Sequence, residues 1–271
     1  ARNSEDALKK IPETDARGLE QIGDNYVRQG NPTMAFLQYE KALAKEPKLQ
    51  SARYKRGMLL LSRGMNDEAL KTFDEILAQD PRYAPALEGR GRVRMAAGDF
   101  GGAMECFNEA LAADPKLWQV HALKGYLYDR RRDYDAAIAE YEKGIAVNGK
   151  SGMLFNNLGM SLYLKKDYPK AIDAYVKAVR IDSANRRVFN NLGLALFKVG
   201  RYDEALQAFR QGGDEAAAYN NMGCLYLAEK KHPEAKAAFE KAISLKPSYF
   251  ARARENLKKT EAAIASAPAT P

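Results

Sequence analysis

No stretch of this 271-residue chain approaches the ~20 consecutive apolar residues that a helix needs to cross a bilayer. Runs of β-branched residues are also missing, which leaves little from which to build a sheet. There is no glycine-rich phosphate loop and no nucleophile elbow; Gly101-Gly102 and Gly212-Gly213 punctuate a pattern instead of cradling a phosphate. Carboxylates are plentiful, yet nothing in their spacing picks out two that converge in a pocket. With two cysteines and two histidines in all, the residue types that hold metals or act as nucleophiles are nearly spent before a site can be assembled. The expectation is a protein that is not an enzyme, with no cofactor, no metal and no small-molecule substrate.

What the chain has in excess is regularity. Gly23, Gly57, Gly91, Gly125, Gly159, Gly193 and Gly223 stand 34 residues apart in five steps and 30 apart in the last. Twelve residues behind each comes an alanine (Ala35, Ala69, Ala103, Ala137, Ala171, Ala205, Ala235), and four further on an aromatic (Tyr39, Phe73, Phe107, Tyr141, Tyr175, Phe209, Phe239). Stacked identical units explain such a triplet; one globular core does not. Glycine and alanine leave two helices free to cross at close range, and the aromatic one turn later fills the wedge between them. Gly30-Asn31-Pro32, Gly64-Met65-Asn66, Gly98-Asp99 and Gly200-Arg201 form turns between the helices. Pro47, Pro81, Pro115 and Pro247 stop the second helix. Each unit reads as a helical hairpin.

A 34-residue helix–turn–helix with Gly at the eighth position, Ala at the twentieth, an aromatic at the twenty-fourth and Pro at the thirty-second resembles the tetratricopeptide repeat, or TPR. The resemblance covers residues 16–249 as seven repeats: 16–49, 50–83, 84–117, 118–151, 152–185, 186–215 and 216–249. It implies an all-α fold, a right-handed superhelical α-solenoid of seven hairpins. Gly149 and Ser183 depart from the expected proline, and Gly144 and Gly212 from the small-to-medium residue before the last turn of the second helix. Because such repeats touch only their neighbours, one elongated domain is expected. Residues 1–15 read as a leader or short cap. Phe250, Ala253, Leu257 and Ile264 place a capping helix over 250–264, and 265–271 read as a disordered tail.

Repeat six is four residues short. Its second helix should end at Gln211-Gly212-Gly213, about one turn, or roughly 6 Å, before its siblings, with a change of curvature beside Asn191 and Asn221. In this frame Cys106 and Cys224 lie too many repeats apart for the ~6 Å between Cα atoms that a disulfide needs, and both read as small buried hydrophobes. His121 and His232, about three repeats apart, read as structural histidines with satisfied hydrogen bonds.

The net charge of +8 and pI of 9.2 raise nucleic acid or an acidic surface as a partner. The largest basic excess, in 151–200, falls near turns and on second helices, which suits a solvated face. Two clusters, Arg90-Gly91-Arg92-Val93-Arg94 and Arg130-Arg131-Arg132, lack the interleaved aromatics on which single-stranded nucleic acids stack, so the pattern argues against nucleic acid.

The informative polar residues are asparagines. Repeats five, six and seven open with Phe155-Asn156-Asn157-Leu158-Gly159, Phe189-Asn190-Asn191-Leu192-Gly193 and Tyr219-Asn220-Asn221-Met222-Gly223. The TPR resemblance implies that first helices line a concave groove, with positions two, five, six, nine and twelve facing it. Asn157, Asn191 and Asn221 would then form a ladder, with Asn156, Asn190 and Asn220 beside it. A carboxamide both donates and accepts, so such a row can hold the backbone of an extended peptide; it can equally bond to a neighbouring helix, and both readings stand. Arg187, Met153, Met160, Tyr163, Leu194, Phe197, Cys224 and Leu227 occupy groove positions around it, and Tyr54, Lys55, Met58, Arg92, Met95, Tyr126 and Arg130 give the earlier groove a cationic and aromatic character. The family's carboxylate clamp is not reproduced in any three consecutive repeats.

These features point to a non-catalytic scaffold that binds a protein or peptide, with self-association through the terminal faces also expected. Two alternatives stay open: an adaptor for nucleic acid or an anionic surface, and the recruiting subunit of a multi-subunit enzyme. The run Asn190–Leu196, the following Gly200–Ala205, the shortened repeat and the Phe250–Leu257 segment also resemble the TPR lipoproteins, of pilotin type, of bacterial tight-adherence (Flp) and type IV pilus assembly. That resemblance implies an outer-membrane-anchored protein assisting secretin assembly, a lipidated cysteine before Ala1 and a periplasmic location.

Overall fold

The computed structural model describes residues 14–247 and 251–265, and every regular element in them is an α-helix. In chain order these are α1 (Ala16–Arg28), α2 (Pro32–Lys45), α3 (Gln50–Ser62), α4 (Asn66–Gln79), α5 (Ala84–Ala96), α6 (Phe100–Ala113), α7 (Trp118–Arg130), α8 (Tyr134–Val147), α9 (Gly152–Leu164), α10 (Tyr168–Ile181), α11 (Arg186–Lys198), α12 (Tyr202–Gly212), α13 (Glu215–Ala228), α14 (His232–Leu245) and α15 (Ala251–Ala265). They make seven hairpins and a capping helix, the solenoid arrangement that the periodicity predicts. The leader read in 1–15, all but its last two residues, lies outside the described residues, as do Phe250 and the tail from 266 onward.

The triplet behaves as its chemistry requires. All seven alanines are fully buried, and the aromatics that follow them are at most 2% exposed. A β-carbon placed on any of the seven glycines would meet the ring of the same repeat's aromatic at 2.4–2.7 Å, well inside contact distance. A mid-helix glycine costs about 1 kcal/mol relative to alanine, so it is the ring that demands its presence. Two of the three tyrosines also bond through their hydroxyls: Tyr39 donates to Asp24 and Tyr141 to Asp129, both at 2.8 Å.

Helix ends are fixed locally. Asp15, Asn31, Asp99, Asp133, Ser151, Asp167 and Asp214 cap first turns with their side chains. At the other end, α8 and α10 stop without the proline of their siblings. Asn148 and Asp182 each accept a hydrogen bond from the backbone N–H two residues on, the same turn that Asp80 and Asp114 make ahead of their prolines. The two unusual glycines answer to neighbours: a β-carbon on Gly144 would press on Leu154 and His121, and one on Gly212 would strike the Asn190 side chain at 2.4 Å. The second helix of repeat six is 11 residues long where its siblings have 14.

Turn geometry gives a first expected result. Gly30, Gly64, Gly98 and Gly200 adopt φ between +72° and +82° after their first helices, and the equivalent sites in the other three repeats hold Arg132, Lys166 and Lys230 at φ +60°, +69° and +59°. A side chain in that region costs about 1–2 kcal/mol, partly offset by the greater freedom of glycine when unfolded. Lys166→Gly should therefore stabilise the protein by about 0.5–1 kcal/mol, read as a higher urea midpoint.

By its contacts the chain divides into two compact units, Ala1–Val120 and His121–Pro271, with the division inside α7. Repeats that touch only their neighbours leave few contacts across any one boundary. In the first unit the hairpins α1–α2, α3–α4 and α5–α6 pack in sequence; in the second α9–α10, α11–α12 and α13–α14 do so, with α15 on α14. First helices also touch the next first helix, α3 with α5, α9 with α11 and α13 with α15. The second unit's core runs continuously from Phe155 through Tyr175, Phe197 and Phe209 to Met222 and Ala238.

Candidate peptide-binding cleft

The three asparagine pairs do not behave alike. Asn191, 9% exposed, donates from Nδ2 to Asn156 Oδ1 at 2.9 Å, and Asn156 donates in turn to Asn157 Oδ1 at 3.3 Å. The three amides form a relay from α11 to α9, and the Asn157 Nδ2 at its end has no partner among the described residues. Asn190 lies over Gly212. The Asn220 Oδ1 is buried without a hydrogen bond, and Asn221 is half-buried. No described bond joins Asn190 to Asn221 as Asn191 joins Asn156. The uniform ladder is thus corrected to one linked pair of repeats: Asn156 and Asn191 are 35 residues apart, and the four-residue deletion before Asn221 breaks that register.

Around the relay opens a cleft of about 580 Å³, lined by Met153, Asn156 and Asn157 of α9 and by Ala184, Asn185, Arg186 and Arg187 at the start of α11. Met153 is 49% exposed. Arg186 and Arg187 occupy the first turn of α11, which carries no acidic residue, and neither pairs with a described carboxylate. Two cations there oppose the helix dipole at a cost of about 0.3–1 kcal/mol each. The cleft offers an amide donor, two guanidinium groups and a thioether within one open surface.

The other groove residues read from the sequence divide. Met160, Tyr163 and Leu194 are half-buried; Tyr163 packs edge-on to Tyr168 at 5.3 Å. Phe197 is a correction: at 1% exposure it is core, wedged edge-on against Tyr202 and Tyr226 at 5.0 and 5.1 Å. Tyr126 is exposed, with the Arg130 guanidinium 6.0 Å over its ring. Arg92 is spent on Glu88 at 2.7 Å, and Lys55 on Glu20 and Asp24, both at 2.7 Å. Burial lowers the Lys55 pKa, but the bonds from Asp24 and Glu20 outweigh it and hold it above the ordinary lysine value. The cationic character expected of the earlier groove is therefore largely neutralised. Arg90 and Arg94 likewise pair with Glu109 and Asp99.

The remaining reactive groups are mostly structural. His121 is buried with its Nδ1 2.8 Å from Glu140, as expected of a satisfied histidine, whereas the buried His232 Nδ1 has no partner. Cys106 is buried, but Cys224 is exposed, receiving a 3.5 Å hydrogen bond from Asn256 of the capping helix; its reading as a buried hydrophobe is corrected, because position nine of repeat seven lies on the groove face and the capping helix covers it only in part. Burial still pushes its thiol up, only partly countered by Asn256. Among the described residues no group of three or more His, Cys, Asp or Glu is placed to hold a metal ion, and no helix is long and apolar enough to cross a membrane.

Sequence models of the tetratricopeptide repeat match residues 21–84 and 54–117, 119–151, 159–200 and 216–249. The chain belongs to the tetratricopeptide-repeat family. Proteins of this family are usually non-catalytic scaffolds for protein–protein interaction. No curated protein sequence matches this TPR chain. Its fold is similar to that of PilF of Pseudomonas aeruginosa, with a TM-score of 0.61 and 20% identity over 79% of this chain and 96% of that one. A tetratricopeptide-repeat protein of Parabacteroides merdae gives 0.55 and 20% over 91% and 98%. YrrB, described as a TPR protein with an unusual peptide-binding site, gives 0.56 and 21% over 69% and 97%. At these identities the likeness is one of fold. The loop residues Ala184 and Asn185 and the first helical residue Arg186 have no groove position in the TPR pattern; two arginines where a helix N-terminus favours acids are their signal in the sequence.

Proposed function

We propose that this TPR protein holds an extended, acidic segment of a partner protein in the cleft between α9 and α11. The observation that carries the reading is the Asn191–Asn156–Asn157 relay, which leaves one amide donor facing an open surface beside Arg186 and Arg187, two cations without a described counter-ion. In this reading Asn157 bonds a backbone carbonyl, the arginines pair with a carboxylate, and Met153 gives way to side chains of several shapes. Asn191 acts as a positioning residue, because its own amide is buried. A photoreactive side chain at position 157, half-buried at the cleft surface where 191 is buried, should capture the partner for identification by mass spectrometry. The double variant Asn157→Ala/Arg187→Glu should weaken the captured partner's binding at least about tenfold, from one lost hydrogen bond and one reversed charge; unchanged affinity rules the cleft out.

The setting we infer is a bacterial envelope or pilus-assembly complex, supported by the sequence resemblance and by the similarity to PilF. Co-purification with a secretin, lost in the same double variant, tests it. Binding to an anionic surface is less well supported, since the cations of the earlier repeats are paired; an affinity falling steeply with salt yet indifferent to Asn157→Ala would favour it.

A further inference from the structure

A second groove lies between α12 and α14 across α13, with a volume of about 320 Å³. Three phenol rings, of Tyr202, Tyr219 and Tyr226, form its walls, and Asp203 and Glu234 stand at its rim. The Tyr202 and Tyr226 rings are 5.4 Å apart and tilted by 54°, so they do not stack face to face. Both outer tyrosines already attract cations. The Lys231 ammonium sits 4.8 Å over the Tyr202 ring and the Arg210 guanidinium 5.7 Å over Tyr219.

Arg210 pairs with Glu215 at 2.7 Å, whereas Lys231 shares Glu229 with Lys198, at 3.3 and 3.0 Å, and also donates to the Tyr202 hydroxyl. Asp203 and Glu234 pair with no described cation. The groove thus carries two carboxylates with no ion-pair partner among the described residues, in a protein of net charge +8. Both carboxylates lie in the first turns of their helices, where the dipole accounts for their presence. It does not account for three tyrosines converging between them. Burial holds the Tyr226 phenol above its ordinary value, helped by the neighbouring Tyr202, Glu234 and Asp203 against the opposing Lys231, which places both carboxylates within electrostatic reach of the same ring.

We propose that this groove binds a partner protein through an arginine or lysine side chain, the cation lying against the tyrosine rings and between Asp203 and Glu234, with flanking apolar residues on Leu206 and Ala237. Charge complementarity selects the occupant: an acidic segment is repelled here and a purely apolar one leaves both carboxylates unused. Cation–aromatic attraction adds to the ionic one where water is partly excluded. The groove is separate from the asparagine cleft and does not depend on it.

The test titrates the whole chain, by isothermal calorimetry, with an acetylated and amidated five-residue peptide carrying one arginine between leucines, and with the same peptide carrying glutamine instead. The arginine peptide should bind at least about tenfold more tightly, and raising salt should erode the difference. Asp203→Asn/Glu234→Gln, both exposed and nearly isosteric, should remove the preference while leaving the far-UV circular dichroism unchanged and lowering Tm by no more than a few degrees, the loss of two favourable helix-dipole contacts. Asn157→Ala/Arg187→Glu should leave it intact. Equal binding of the two peptides, no binding up to millimolar concentration, a preference that survives the loss of both carboxylates, or one abolished by the asparagine-cleft variant would each overturn the proposal.

Discussion

Phe209→Ala should lower the unfolding free energy by about 4 kcal/mol, within the range for emptying a phenylalanine site in a core. Phe209 is 1% exposed and belongs to the one apolar cluster that runs through the second unit from Phe155 to Ala238. Its ring lies against Gly193, where a β-carbon would come to 2.7 Å. The complementary change tests the same contact from the other side. Gly193→Ala gains about 1 kcal/mol of helix propensity but forces the ring to move, an overpacking cost of about 1–3 kcal/mol. The combination Gly193→Ala/Phe209→Leu should cost less than the sum of its parts, with a coupling of about 1 kcal/mol. Urea unfolding followed by circular dichroism reads all four corners of that cycle. Strict additivity would mean that glycine and aromatic are not one device.

Glu140→Ala should be nearly as damaging, about 3 kcal/mol or more, because it removes the one acid from a buried basic cluster. Glu140 is 5% exposed and accepts from His121 Nδ1 at 2.8 Å, Lys143 at 3.0 Å and Lys124 at 3.2 Å. Lys124 is itself only 12% exposed and would be left without that counter-charge. For a chain of this size the loss corresponds to a Tm lower by roughly 6–12 °C. Burial by itself would raise the Glu140 pKa; the bonds from His121 and Lys143 and the nearby Lys124 outweigh it and hold the carboxyl below its ordinary value. Its contribution is therefore complete above the unfolded glutamate pKa of about 4.3 and is lost as pH falls through the lower folded value. The difference between wild type and Glu140→Gln should be full at pH 7 and vanish in acid. A difference that persisted below that range would show that Glu140 works by packing alone.

Much of this molecule is legible in one dimension. Seven glycines at a fixed spacing, each with its alanine and aromatic, determine the hairpins, their number and the core, because each repeat closes on itself through contacts less than twenty residues apart. Local chemistry also sets the helix ends, through asparagine, aspartate and serine caps and left-handed glycines. Other features were decided only by neighbours in space. Asn156 and Asn191, alike in sequence to Asn190 and Asn221, differ from them because the short α12 shifts the next repeat out of register. Lys55 and Arg92 look like free cations until Glu20, Asp24 and Glu88 are seen to take them. Phe197, at a groove position by count, is buried because Tyr202 and Tyr226 close over it. A repeat pattern determines which side chains share a face; whether that face meets solvent or another side chain depends on the length and tilt of the adjoining repeat, and that is a property of the tertiary structure alone.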